Sequence, residues 1–108
     1  MININGEEWR VCLVSANHPA LRRSDGSWSI GACDDYVKTI FIYEELDYPL
    51  MKKVLSHELT HAAMFSYNIE LSYGQEELLA DIIATYGQEI VCKTNLFFKR
   101  IKENWGAC

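Results

Sequence analysis

The string His-Glu-Leu-Thr-His at residues 57–61 constrains this chain more than any other part of its sequence. It puts two imidazoles four residues apart, and positions i and i+4 share one face of an α-helix. A helix through this string therefore directs His57 and His61 at the same point, which is the beginning of a zinc site. Glu58 follows the first histidine, where a carboxylate can act as a general base on water. We therefore expect this helix to carry one half of a metal site.

The residues that follow the strand region have the spacing of helices. From Asp47 onward apolar side chains recur at helical intervals, and this first helix holds the HELTH string near its middle. A capping-box pattern beginning at Ser72 predicts a second helix from about Tyr73 to Val91. The spacing also predicts a third, C-terminal amphipathic helix from Thr94 to Asn104. Its side chains expected to face the core are Leu96, Phe97, Phe98 and Ile101.

Three segments in the first half of the chain predict β-strands. They are Trp9 to Ser15, Ser27 to Ala32 and Val37 to Tyr43, and the last is β-branched and aromatic almost throughout. Asp34 and Asp35 fit a hairpin turn between the second and third segments. Strands followed by helices predict an α+β fold. We expect a small antiparallel sheet of about three strands, packed on an active-site helix, a glutamate-bearing helix and the C-terminal helix.

Size and charge limit the classes of function. With 108 residues we expect one domain spanning 1–108. A net charge of −5 argues against nucleic acid and against an anionic membrane surface as partners, because both favour a basic patch. The N-terminus does not resemble a signal peptide, and no apolar run has the length of a membrane span. These features predict a cytoplasmic protein.

The histidine count decides the chemistry of a third metal ligand. No histidine follows His61, and the one other histidine, His18, lies far upstream in a loop. A catalytic zinc usually has three protein ligands, so the third should be a carboxylate. Glu77 and Asp81 share a face of the second helix, where one can bind the metal while the other orients a ligand imidazole. Glu76 is a competing ligand, but the spacing to Asp81 favours Glu77.

These two strings together resemble a known group of enzymes. HELTH followed by Glu-Leu-Leu-Ala-Asp-Ile-Ile-Ala at 77–84 resembles the gluzincin metallopeptidases and minimal gluzincins. Of these groups, the sequence more closely resembles the small ImmA/IrrE-like metallopeptidases of phages and mobile elements, with HExxH followed by roughly ExxA(N/D)xxA. The resemblance covers roughly residues 37–87. It implies a zincin-like metallopeptidase domain and a zinc-dependent hydrolase that cuts peptide bonds.

The resemblance also implies a role for each matching residue. His57, His61 and Glu77 would bind Zn²⁺, and Asp81 would orient His57 from the second shell. Glu58 would be the general base that activates a zinc-bound water, and then the proton donor to the leaving amine. The substrate would be a protein or peptide, for instance a regulatory protein such as a phage repressor. An edge of the sheet near Val37 to Tyr43 could bind it in an extended form.

The chain also departs from the gluzincin pattern. Gluzincins often add a histidine or tyrosine that stabilises the oxyanion, and the residues available here are His18, Tyr67, Tyr73 and Tyr86. A second hypothesis is therefore a catalytically weak or inactive zincin-fold module that acts by binding a protein partner. Two further alternatives are a polar stripe without metal and a structural zinc site. A structural site normally has four protein ligands and is usually rich in cysteine.

Overall fold

The structure, a computed structural model, describes residues 1–103 and confirms the α+β class. Four strands form one sheet: β1 (Ile2–Ile4), β2 (Glu7–Val14), β3 (Gly31–Asp34) and β4 (Thr39–Tyr43). Their order is β1-β2-β4-β3, so β3 lies at one edge. The sheet has one strand more than the sequence predicts. It is also mixed, because β2 and β4 pair in parallel while the other two pairs are antiparallel.

Short turns explain the two antiparallel pairs. Asn5 and Gly6 both have positive φ, of 50° and 83°, which matches the tight turn of a two-residue hairpin between β1 and β2. The predicted hairpin between β3 and β4 is present, and it closes through Lys38, which also has positive φ. The parallel pair needs a long connection. That connection contains a 3₁₀ turn (Pro19–Leu21) and then β3 itself.

The helices begin where their capping residues predict. In α1 (Tyr48–Ser66) the side chain of Asp47 accepts a hydrogen bond from the backbone of Leu50. In α2 (Tyr73–Ile82) the capping box of Ser72 and Gln75 is present in both directions. A π-helical turn (Ile83–Gly87) joins α2 to α3 (Gln88–Glu103).

The predicted break between the second and third helices is wrong. The chain stays helical from α2 through the π-helical turn into α3, which begins six residues before Thr94. No glycine or proline lies between Val91 and Thr94, so nothing there ends a helix. Asn104, the predicted end of the third helix, lies outside the described residues.

The core lies between the sheet and α1. Its buried members are Trp9, Ile40, Ile42, Val54 and Ala62. Trp9 donates a hydrogen bond from its indole nitrogen to the hydroxyl of Ser66, at 2.8 Å, so the one polar atom of this side chain is satisfied. This packing fixes α1, and with it the HELTH string, against the strands.

The helix α3 does not bury the face that the sequence assigned to the core. Leu96, Phe97 and Phe98 are 46%, 58% and 62% exposed, and Ile101 is half-buried. The described chain is 59 Å long but only 31 and 27 Å in its other dimensions. The helix packs mainly against the π-helical turn that precedes it. The amphipathic pattern is present, but its large apolar side chains stay exposed among residues 1–103.

Within residues 1–103, no helix has both the length and the apolar character needed to cross a bilayer.

Candidate metal centre

The helix α1 presents the HELTH string toward the edge strand. Glu58 is buried, with 7% of its surface exposed, and β3 packs directly on it. A Cβ atom added at Gly31 would lie 2.6 Å from Cγ1 of Val54 and 3.2 Å from Cγ of Glu58. Only glycine allows this close approach of strand and helix. The strand therefore covers one side of Glu58, which also lines the clefts beside the two imidazoles.

The helix α2 brings a carboxylate to the two imidazoles. Oε1 of Glu77 lies 2.7 Å from Nε2 of His61, and its Oε2 lies 3.5 Å from Nε2 of His57. The two Nε2 atoms are 3.2 Å apart, and the donor atoms of all three residues lie within 4.8 Å of one another. The close approach of α2 is helped by Ala80, which is small and fully buried. Two imidazoles and a carboxylate are a donor set suited to zinc.

Two further carboxylates hold the outer nitrogens of the same imidazoles. Oδ1 of Asp81 lies 3.0 Å from Nδ1 of His57, and Oε2 of Glu76 lies 2.5 Å from Nδ1 of His61. An imidazole that donates from Nδ1 to a carboxylate keeps the lone pair of Nε2 available for a metal. Asp81 thus lies beside His57, the imidazole that it is predicted to orient. Glu76, predicted as a competing ligand, contacts Nδ1 of His61, whereas Glu77 contacts Nε2 of the same ring.

Sequence reasoning missed this position of Glu76. Consecutive helix residues point about 100° apart, so the sequence predicts the two neighbouring glutamates as alternatives for one role. The arrangement instead uses both, Glu77 against the Nε2 atoms and Glu76 against an Nδ1 atom. The signal available in the sequence is that Glu76 directly precedes Glu77. Two zinc-binding imidazoles have two Nδ1 atoms that need hydrogen-bond acceptors, and Asp81 can supply only one of them.

Burial and neighbouring charges determine the protonation of the nearby groups. Burial raises the pKa of Glu58, the adjacent imidazoles of His57 and His61 lower it, and the charge of Glu77 raises it again. Burial, followed by the charge of Glu58, raises the pKa of Cys33 to about 12. The thiol of Cys33 is therefore neutral near pH 7.

The candidates for an oxyanion-stabilising residue lie in different places. Nδ1 of His18 accepts a hydrogen bond from the backbone of Ala20 at 3.1 Å, and its ring stacks on Phe41 at 5.3 Å. His18 therefore caps the 3₁₀ turn, and it is not part of the metal-ligand group. Tyr73 lines a cleft of about 300 Å³ together with His61, which makes it the candidate tyrosine placed beside the site.

A second cleft opens on the other side of the two imidazoles. We call it the metal cleft; its volume is about 350 Å³. Its charged and imidazole lining residues are Arg23, Lys53, His57, Glu58, Glu77 and Asp81. Arg23 could not be found from spacing, because its proximity to HELTH depends on how the loop before β3 folds back on α1. Lys53 lies one helical turn before His57 on α1 itself.

The fold and this donor set define a class of protein: an α+β domain with a His-His-Glu group placed for zinc. Comparison with known families agrees with that class. The chain belongs to a family described as "Predicted Zn-dependent protease (DUF2268)", whose model matches residues 1–84. No curated protein and no solved structure matches the chain. Membership of this family supports zinc as the metal and a peptide as the substrate.

Proposed function

We propose that the chain is a zinc metalloendopeptidase of the gluzincin type, related to the ImmA/IrrE-like enzymes, with His57, His61 and Glu77 as metal ligands. The observation that supports this most is the convergence of both Nε2 atoms and the Glu77 carboxylate at one point. The buried carboxylate of Glu58 beside that point adds the group that peptide hydrolysis needs.

In this proposal, Glu58 transfers the proton, while Asp81 and Glu76 orient the imidazoles. A bound Zn²⁺ supplies a Lewis acid that polarises a carbonyl and lowers the pKa of water. Glu58 accepts a proton as the water oxygen forms its bond to the peptide carbon, and it passes that proton to the leaving nitrogen as the C–N bond breaks. Its pKa, raised by burial, suits a carboxylate that must hold the proton between these steps. Asp81 and Glu76 keep both imidazoles in one tautomer.

The edge strand is the proposed place for an extended substrate. The sequence analysis assigned this role to an edge near Val37 to Tyr43, but β4 lies inside the sheet, between β2 and β3. The strand β3 is the edge that borders the site, since Gly31 lies against Glu58. A peptide added to β3 by main-chain hydrogen bonds would pass next to Glu58. A regulatory protein as the target rests on the resemblance to the ImmA/IrrE-like enzymes.

The second candidate is a zincin-fold module that is catalytically weak or inactive and binds a protein partner. One observation favours it: α3 exposes a row of large apolar side chains that includes Phe97 and Phe98. Exposed apolar patches of this kind often mark interaction surfaces. The two candidates make different predictions for zinc-loaded protein, since a module would bind zinc and leave peptides uncut.

The test combines metal analysis with Glu58→Gln. We expect one zinc per chain in the wild type and in the variant, and a loss of peptide cleavage of about 100-fold or more in the variant, the range typical for a general base. The matched control is Glu70→Gln, an exposed glutamate between α1 and α2, which should cleave like the wild type. Absence of zinc, or unchanged cleavage in Glu58→Gln, would contradict the proposal. Stoichiometric zinc without any cleavage by the wild type would favour the binding module.

A further inference from the structure

The metal cleft contains two positive side chains that the proposed chemistry does not use. Arg23 comes from the loop before β3, and Lys53 comes from α1, one turn before His57. Both line the same cleft as Glu58 and Glu77. The lining also contains the carboxylates of Glu58, Glu77 and Asp81, so the cleft carries charges of both signs. Glu77 and Asp81 contact His57, which leaves the two cations without a carboxylate partner in the cleft among the residues that the structure describes.

The loop that carries Arg23 has a defined backbone. The amide of Arg23 donates to the carbonyl of Ser27 at 2.7 Å, and the amide of Gly26 donates to the carbonyl of Arg23 at 2.9 Å. The amide of Ser29 donates to the carbonyl of Leu21 at 2.8 Å, and Leu21 is 1% exposed. The turn is therefore closed on itself and anchored in the protein by a buried side chain. It holds Arg23 in the lining of the cleft.

Both cations are available for a ligand. Lys38 and Lys93 form ion pairs with carboxylates of this chain. By contrast, neither Arg23 nor Lys53 lies within ion-pair distance of a carboxylate in the described residues 1–103.

We propose that the metal cleft selects substrates with an acidic side chain close to the scissile bond, and that Arg23 and Lys53 are the residues that bind this side chain. This inference rests on the proposed peptidase function and adds its substrate class. A guanidinium can hold a carboxylate through two parallel hydrogen bonds, while an ammonium adds a point charge. A basic side chain at the same place meets two like charges, so it is disfavoured.

The test compares peptides that differ at one position beside the cleaved bond, as Glu, Gln or Lys. Zinc-loaded wild type should show a kcat/KM for the Glu peptide about three- to tenfold above that for the Gln peptide, as expected for charge-assisted contacts in an open cleft. The Lys peptide should be the poorest. The Glu-to-Gln ratio should fall toward one in Arg23→Gln and in Lys53→Met, mainly through KM, and Arg23→Lys should keep part of it.

Neighbouring cations provide matched controls. Lys52 is next to Lys53 on α1, but its ammonium lies over the ring of Tyr48 at 5.6 Å. Lys52→Met removes the same charge from the chain, and it should leave the Glu-to-Gln ratio unchanged. An equal fall of the ratio in Lys52→Met and Lys53→Met would overturn the inference, because it would show an effect of overall charge. A uniform loss of kcat for all peptides in Arg23→Gln would also overturn it, since that result indicates a role on the reacting atoms.

A binding experiment separates this inference from the proposed function. Zinc-loaded Glu58→Gln should bind the labelled Glu peptide more tightly than the Gln peptide, as measured by fluorescence anisotropy, and the added Arg23→Gln change should remove the difference. If the wild type cuts no peptide but this preference is present, the peptidase proposal fails while the acidic selectivity stands. Cleavage without any preference overturns the selectivity and leaves the peptidase proposal intact.

Discussion

The helix pair α1–α2 and the helix α3 are both amphipathic, yet they differ in burial and in what they contribute to the candidate site. In α1 and α2 small and polar residues are buried, including Ala62, Ala80 and Glu58. In α3 every residue from 88 to 102 is at least partly exposed. The family match ends at residue 84, close to where this change occurs. The metal-ligand group, its supporting carboxylates and both clefts beside it lie before α3.

The difference shows what each region depends on. The imidazoles of α1 are held by three carboxylates from α2, so neither helix forms the site without the other. The helix α3 depends on local interactions such as the Lys93–Glu89 pair at 3.3 Å. An exposed pair of this kind contributes less than about 1 kcal/mol. Substitutions in the helix pair α1–α2 or in the core should therefore have large effects on activity and on the free energy of unfolding. Substitutions in α3 should have small effects on both.

The largest expected contrast in stability is between a core residue and an apolar residue of α3. Ile40 is fully buried, whereas Phe97 is 58% exposed. Ile40→Ala should lower the free energy of unfolding by about 2–5 kcal/mol, because it leaves a cavity. Phe97→Ala should change it by less than about 0.5 kcal/mol, as for most surface positions. Urea unfolding followed by circular dichroism measures both, and a loss above 2 kcal/mol for Phe97→Ala would break the comparison.

A smaller effect is expected where the edge strand meets α1. Gly31→Ala puts a methyl group 2.6 Å from a carbon of Val54, so strand or helix must shift. Such overpacking typically costs about 1–3 kcal/mol. Gly74→Ala, in the first turn of α2, has open space around the new methyl group and serves as the control. In thermal unfolding, Gly31→Ala should therefore have a lower melting temperature than Gly74→Ala. Equal melting temperatures would mean that β3 does not pack tightly on Glu58.

The sequence predicts features that depend on residues close together in the chain, and it misses features that depend on tertiary contacts. HELTH, the capping box at Ser72 and the β3–β4 hairpin are local patterns, and the structure contains all three. The strand β1 has three residues, too few for a periodic signal. The amphipathic pattern of α3 predicts a face toward the core, and that prediction is wrong for Leu96, Phe97 and Phe98, because periodicity carries no information about whether another element packs on a face. The positions of Arg23 and Glu76 beside the two imidazoles depend on tertiary contacts, which spacing alone does not encode.

That residues 1–108 form a single zincin-like metallopeptidase domain stays a prediction.

The central claim is that the two neighbouring glutamates of α2 have different roles, Glu77 as a zinc ligand and Glu76 as the partner of His61. A competition titration with a chromophoric zinc chelator tests it most directly, on Glu77→Ala, Glu76→Ala and Glu89→Ala from α3. Removing an outer-shell partner typically costs about 10- to 100-fold in metal affinity, so Glu76→Ala should fall in that range. Glu77→Ala should lose more than this, and Glu89→Ala should bind zinc like the wild type. Wild-type affinity in Glu77→Ala, or a greater loss in Glu76→Ala than in Glu77→Ala, would contradict the account.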